Sequence, residues 1–382
     1  MPDCVRLLAS LTLVLFVSAH PVCHANEHQS LLSVMHEVLD GHMAIARSDL
    51  SASTPSALSA KLAIELEDMA SGNYATTGHR AYTELKPLWV EARERFIASR
   101  QPPHGYLPDA VLALPDTVQQ IFVADVSSNV AWLLDIADRT VTVADAFYVS
   151  IGRAGAGKQR RGDRRTPLGV YFTTGALDTS RLPSRYGSHA LPLDYPNALD
   201  RQLGRTGDGI WLHGMEPANN VRPPRDTDGC IALANDRIEV LAAALSPWET
   251  PVLVVENIRW RPADMRSPLV DVLTERVRVW AEDWKTGDSA AYLAHYAPDF
   301  SRDGLAPAHW RKMRREALAA RSVAAMDIDA PQILVVDAAA GIYLTRFEHA
   351  LTTNDGQQMR AIRRLYWQQS EGQWHIIAEQ TG

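Results

Sequence analysis

The hydrophobic pattern changes character three times along the chain. Between 26 and 100 apolar residues recur at three- and four-residue spacing, first Leu31, Val34, Met35, Val38 and Leu39, later Leu85, Leu88, Trp89 and Phe96. That spacing predicts a small helical region. Gln101-Pro102-Pro103-His104-Gly105 breaks the pattern and reads as a linker. From about Thr117 the chain turns to short β-rich runs at 121–123, 131–136, 141–151, 169–173 and 209–212, separated by Gly, Pro, Asp and Asn. A compact, mainly β domain ending near Val255 is expected. One helix interrupts it, with Asn235 as the expected N-cap, Asp236 in the first turn, and Ile238, Val240, Leu241 and Leu245 as its apolar stripe.

Arg261-Pro262 to Ser267-Pro268 reads as a second linker. Beyond it Val272, Val277, Trp280 and Trp284 mark an amphipathic helix, and strands rich in Val, Ile, Tyr and Trp run up to Ile377. Helix first and a meandering sheet after is an α+β plan. The expected division is 1–25, 26–116, 117–258, a linker at 259–268, and 269–382.

The first segment has its own logic. Arg6 precedes an apolar run at 7–19, and Val22-Cys23-His24-Ala25 offers small residues before Asn26, the layout of a secretory signal peptide cleaved after Ala25. The run is shorter than the roughly 20 residues of a membrane span, and His20-Pro21-Val22 before Cys23 argues against a lipoprotein site. Export changes the meaning of the three cysteines. Cys4 and Cys23 would be lost with the leader, leaving Cys230 alone in an oxidising compartment. A lone cysteine there is either a buried apolar filler or a reactive thiol.

Composition excludes more than it assigns. A formal net charge of −7 leaves no basic footprint for nucleic acid, and no repeat period or heptad array stands out. Downstream of Ala25 the histidines show no His-x-x-x-His or paired-cysteine spacing, so neither metal nor cofactor is expected. Residues 152–157 are not followed by the helix that a phosphate loop requires.

Two blocks carry the candidate chemistry. They are Gly209-Ile210-Trp211-Leu212-His213-Gly214 and, with its cysteine seventeen positions beyond His213, Thr227-Asp228-Gly229-Cys230-Ile231-Ala232-Leu233. A thiol is mostly protonated near neutral pH and needs a base or cation to become a nucleophile. A histidine at the end of an apolar strand is suited to that task. Gly214 and Gly229 would let backbone approach a substrate carbonyl, and N–H groups around Gly229 could face a developing oxyanion. A cysteine beside Ile231 and Leu233 is equally able to fill a core, and spacing alone leaves both readings open.

These blocks resemble the signature of the L,D-transpeptidases, the YkuD-type family: a His-Gly pair, a gap of about this length, then Ser/Thr-x-Gly-Cys. Upstream, Asp163 and Thr166-Pro167-Leu168-Gly169-Val170-Tyr171 resemble the family's Thr-Pro-x-Gly segment, and Leu193-Asp194-Tyr195-Pro196-Asn197 is similar to its substrate-side loop. The resemblance covers about 118–255. It implies Cys230 as nucleophile and His213 as base, with Thr227, Asp228 and Tyr195 as orienting or substrate-side candidates. Two positions depart from the family: Asp228 stands where histidine is usual, and Ala232 where arginine is common. Asp228 either orients His213 or shapes a turn. Arg153, Lys158, Arg160, Arg161, Arg164 and Arg165 form a basic run, either a solvated loop or a cationic lip for stem-peptide carboxylates.

The C-terminal part resembles the nuclear transport factor 2 (NTF2)-like fold, through Trp280, Trp284 and 288–296 on helices and Phe347, Leu365, Trp367, Trp374 and Glu379 on strands. No catalytic Asp–His pair is evident there, so a binding or assembly role is expected. The whole is thus read as multidomain, with an N-terminal α-helical region, a mainly-β YkuD-type catalytic domain and a C-terminal α+β cone. The resemblance implies acyl transfer on peptidoglycan stem peptides in the cell envelope, with an envelope protein as a further partner through the cone. Hydrolysis by the same fold, or a silent wall-binding protein, are the rival readings.

Overall fold

The computed structural model describes residues 97, 100–137, 140–216, 222, 224–302, 304–320 and 323–382. The expected signal peptide, Cys4, Cys23 and nearly all of the helical region expected before residue 100 lie outside the described residues. By contacts the chain forms two compact units, one of 1–101 with 146–148 and 218–224, the other of everything else. Within the first, the Tyr148 hydroxyl donates to the Arg222 carbonyl at 3.2 Å.

The second unit is built on two large sheets. One has five strands in the order β5-β4-β3-β12-β7, formed by β3 (Gln120–Asp125), β4 (Val130–Ala137), β5 (Thr140–Tyr148), β7 (Gly169–Phe172) and β12 (Pro251–Val255). Ile121, Phe122, Val123, Val252 and Leu253 on the central strands are wholly buried, which is why these runs read as continuous apolar stretches rather than alternating ones. A smaller sheet, β11-β9-β8, joins β8 (Ala190–Pro192), β9 (Trp211–His213) and β11 (Ile231–Ala232). Short β6 (Ile151–Gly152) pairs β10 (Arg225–Thr227). The expected single run over 141–151 is therefore split between β5 and β6.

Two helices belong to this part. α1 (Ala198–Gln202) opens with a capping box between Asn197 and Asp200. α2 (Asn235–Ala244) is where a sequence expectation fails. Its N-cap is Ala234, with no side-chain cap, because the Asn235 amide is committed elsewhere.

The second large sheet contains β14 (Val323–Ile328), β15 (Gln332–Asp337), β16 (Ile342–Thr353), β17 (Gln358–Ser370) and β18 (Gln373–Thr381). Helices α3 (Pro268–Thr286), α4 (Ser289–Ala294) and α5 (Pro307–Ala320) precede it, as the α+β plan anticipates. α3 starts on a Ser267 cap with Pro268 in its first turn and stops at Gly287, whose φ of 73° suits a left-handed C-cap. Trp280 of α3 packs against Phe347 of β16, ring centroids 5.8 Å apart.

Of the segments expected as linkers, 101–105 carries no strand or helix and 259–268 holds a short strand near its start. β1 (Tyr106–Pro108) pairs antiparallel with β13 (Trp260–Pro262). β2 (Val111–Ala113) adds itself to the C-terminal sheet beside β15, with Ala113 opposite Ile333. Residues 114–331 thus lie in the chain between two neighbouring strands of that sheet. Arg261, 8 % exposed, fastens the junction by donating to the carbonyls of Val111 and Leu112.

The C-terminal sheet uses both faces, as strand alternation requires. Phe347, His349, Arg363 and Trp367 turn toward the helices. Arg346 and Arg364 turn toward the five-stranded sheet, where they lie 5.5 and 4.0 Å from the Phe172 ring centroid. Arg346 also donates to the Trp248 carbonyl at 2.8 Å, and the Gln380 side-chain oxygen accepts the Ala198 amide at 3.3 Å.

Candidate active site

Parallel pairing of β9 with β11 sets Ile231 opposite Leu212 and Ala232 opposite His213. Paired residues in a parallel ladder point the same way and alternate along each strand. Continued by one residue, that register puts Cys230 on the face that carries Trp211 and His213, diagonally across from the imidazole. Cys230 is 9 % exposed and His213 3 %.

The imidazole is held at one nitrogen. His213 Nδ1 is 2.6 Å from the Gly214 carbonyl oxygen, which requires a proton on Nδ1 and leaves Nε2 as the basic atom. The Tyr186 ring meets the His213 ring edge to face, centroids 5.0 Å apart, and also contacts Trp211 at 4.9 Å. The Cys230 thiol donates to the Gly209 carbonyl at 3.3 Å.

The loop before the cysteine is fixed from inside. The Thr227 hydroxyl donates to the Cys230 carbonyl at 2.7 Å and accepts the Gly229 amide at 3.1 Å. The Thr166 hydroxyl, fully buried, accepts the Gly152 amide at 2.9 Å and donates to the Gly229 carbonyl at 3.0 Å. Gly229 has φ 130°, and a Cβ there would stand 2.8 Å from the Arg165 carbonyl oxygen. Only glycine fits both conditions.

Several sequence-based assignments need correction. The Gly229 amide is taken by Thr227, and the Gly214 amide donates to the His189 carbonyl at 3.0 Å, so neither of these N–H groups is aimed at an oxyanion. Gly214 is instead a close-approach residue, since a Cβ would meet the Asn235 amide oxygen at 2.2 Å. Asn235 accepts the amides of Ser188 and Met215 at 3.1 and 3.0 Å and donates to the Met215 carbonyl at 2.9 Å. It staples the segment after His213 to the one after Tyr186. Asp228 is mostly exposed and sits 3.9 Å from both Arg153 and Arg164. The acceptor beside Nδ1 of His213 is the Gly214 carbonyl, not this carboxylate. Tyr195 is 5 % exposed, with its hydroxyl donating to the Thr206 carbonyl at 3.2 Å. It is part of the framework rather than a substrate contact.

The basic run is largely neutralised. Asp163 accepts Lys158 at 2.8 Å and the amides of Gln159, Arg160 and Arg165. Burial opposes ionisation of Asp163, but these donors outweigh it and hold its pKa well below the usual carboxylate range. Arg161 pairs with Asp208, and Arg153 with Asp226 at 3.1 Å.

A cation that sequence reading missed lies elsewhere. Arg185 is exposed, stacks 5.0 Å from the Tyr186 ring centroid and donates to the Tyr186 hydroxyl at 3.2 Å. It makes no ion pair among the described residues. Its pKa is raised, first by the Tyr186 hydrogen bond and further by the charges of Asp228 and Cys230, which brings it within electrostatic reach of the thiol. No motif signals it, because it arrives through the fold of the loop before β8.

In the C-terminal part an Asp–His pair not evident in the sequence is present: His295 Nε2 lies 2.7 Å from Asp283, joining α3 to the end of α4. Glu379 takes the Tyr296 hydroxyl at 2.7 Å, Arg302 at 3.1 Å, and Arg363. His349, 2 % exposed, packs on Trp284. Burial, helped by the Arg363 cation, lowers its pKa to about 4.

Comparison with known proteins follows this division. Residues 119–254 match the family described as YkuD, L,D-transpeptidase catalytic domain, and residues 272–380 the Cds6 C-terminal NTF2-like domain. Among solved structures, Bd1075 of Bdellovibrio bacteriovorus superposes with a TM-score of 0.57 at 21 % identity, covering 72 % of this chain and 99 % of that one. The helical cell shape determining protein Pgp2 of Campylobacter jejuni gives 0.56 at 23 %, covering 77 % and 99 %. At these identities the likeness is one of fold. A search of curated proteins finds no significant match.

Proposed function

Residues 119–254 being an L,D-transpeptidase catalytic (YkuD) domain and residues 272–380 an NTF2-like domain, we propose that the chain is an exported cysteine acyltransferase remodelling peptidoglycan. Cys230 attacks the carbonyl between the diaminoacid and D-alanine of a stem peptide. Nε2 of His213 takes the thiol proton and returns it to the departing D-alanine amine, leaving a thioester. An amine then attacks that thioester, gives its proton to His213, and regenerates the thiol. The reading is carried by the β9–β11 register, which continued by one residue sets Cys230 on the face of His213, together with an imidazole whose Nδ1 is committed to Gly214.

Ala232 is buried and offers no charge. In this reading Arg185, which makes no ion pair among the described residues and is coupled electrostatically to Cys230, holds the substrate carboxylate. The same buried Ala232 favours a second reading, in which the amine is poorly held and water takes the acyl group. The fold shared with a helical cell shape determining protein supports a role in setting cell shape.

Tetrapeptide muropeptide with excess D-amino acid in isotopically heavy water, analysed by mass spectrometry, tests the proposal. Exchanged or cross-linked product is expected. Tripeptide carrying one heavy oxygen, with no exchange at any amine concentration, identifies the hydrolase. Absence of both products and of any thioester on Cys230 removes the enzymatic reading.

A further inference from the structure

Arg364 and Asp194 form an ion pair between the C-terminal sheet and the loop at 193–197, N–O distance 2.5 Å, with side chains only 4 % and 3 % exposed. Burial raises the Asp194 pKa, and the Arg364 cation works against that rise. Buried pairs of this kind are costly to desolvate, and an apolar pair of similar volume often stabilises as well. What the ionic pair adds is a fixed direction. The second Asp194 oxygen accepts the Phe172 amide at 2.9 Å, and the Asp194 amide donates to the Phe172 carbonyl at 3.0 Å. The carboxylate is thereby held at two points on β7 and β17.

The contact leads toward the thiol in a few bonded steps. Leu193, next to Asp194, donates its amide to the Ile210 carbonyl at 2.9 Å. Gly209, next to Ile210, supplies the carbonyl that accepts the Cys230 thiol at 3.3 Å. We propose that Arg364 of the NTF2-like domain is a positioning residue for Cys230, acting through Asp194 and the Leu193–Ile210 bond on the Gly209 carbonyl. The C-terminal domain then completes the catalytic one as well as any partner it binds. The proposal rests on Cys230 being the reactive thiol of the preceding subsection, but not on the identity of the substrate.

The test is the pH profile of Cys230 alkylation in the full chain, which needs no muropeptide. A carbonyl that accepts the S–H bond favours the neutral thiol. Losing it lowers the apparent thiol pKa by about half a unit, the scale of one neutral hydrogen bond. Arg364→Gln and Asp194→Asn are expected to show this shift while slowing acylation by substrate, and Arg364→Lys to recover part of both. Arg346→Gln, at the same domain contact but without a hydrogen bond or ion pair to Asp194, is expected to keep the wild-type profile. Should Arg364→Gln fail to fold, the isosteric Asp194→Asn decides. A wild-type profile in the folded variants overturns the proposal, as does an equal shift in Arg346→Gln. A shifted profile without muropeptide turnover in any form leaves the brace standing and removes the proposed reaction.

Discussion

Replacing Thr166 by valine tests how the nucleophile loop is held. The two side chains have nearly the same shape, so packing is retained and only the hydroxyl is lost. That hydroxyl links the Gly152 amide at 2.9 Å to the Gly229 carbonyl at 3.0 Å, in a position with no solvent exposure. Neither backbone group has water to turn to. An orphaned buried donor or acceptor costs about 1–3 kcal/mol, so the pair together costs about 4 kcal/mol. For a folded unit of this size that corresponds to a fall in Tm of roughly 10 °C. Gly229 directly precedes Cys230, so the thiol should also alkylate more slowly at temperatures well below the transition. Thr166→Ser keeps the hydroxyl and should retain the alkylation rate, losing only about 1 kcal/mol for the missing methyl. Thermal unfolding and thiol alkylation of the three proteins are the measurements. If Thr166→Val melts within about 2 °C of wild type, the hydroxyl bridge does not hold this loop and the reasoning fails.

Other expectations are simpler. Cys230→Ala should abolish acylation with the protein still folded, and labelling by a carbapenem retained in that variant would remove Cys230 from its role. His213→Ala should slow acylation by roughly 10²-fold, the usual scale for a lost general base, and equal alkylation rates across pH in both proteins would show that the imidazole does not govern the thiol. His349 has a folded-state pKa of about 4 against an ordinary 6.5, so between these values the unfolded chain binds more protons. Stability should be full above pH 6.5, fall progressively toward pH 4, and lose that part of its slope in His349→Gln; an unchanged slope refutes the assignment.

Deleting everything after Pro262 has a different expected outcome from the one the sequence suggests. The linker pattern at 259–268 implies that the catalytic domain stands alone with its thiol reactive. In the structure that cut strips β2 of its partner and leaves Asp194 without Arg364. A truncated protein that is poorly soluble or unreactive is expected, and a folded one alkylating at the wild-type rate would contradict it.

How far the sequence carried the reading depends on the distance over which each feature is determined. The histidine and cysteine blocks were legible because glycines and a short strand pair impose local constraints. The matches at 119–254 and 272–380 fall inside the expected 117–258 and 269–382. What escaped was set by distant partners. Asn235 looks like a helix cap because its neighbours are helical, yet its amide is claimed by Ser188 and Met215. The N–H groups around Gly229 read as oxyanion donors, but the Gly229 amide itself donates to the Thr227 hydroxyl. Tyr195 sits in a loop similar to the family's substrate-side loop, but the fold buries it. Arg363 and Arg364 drew no attention in the sequence, yet both are under 10 % exposed and serve opposite faces of one strand.

The pairing of Ala113 with Ile333 has a consequence for the order of synthesis. Everything needed to form the catalytic sheet leaves the ribosome before β15 exists, so β2 must wait beside a finished domain with an open hydrogen-bonding edge. Such long-range pairings form slowly and expose an unprotected edge in the interval. The waiting strand is only three residues long, Val-Leu-Ala, ending at the Leu114-Pro115 break. Its brevity limits the edge that a wrong partner could extend while the chain is still incomplete.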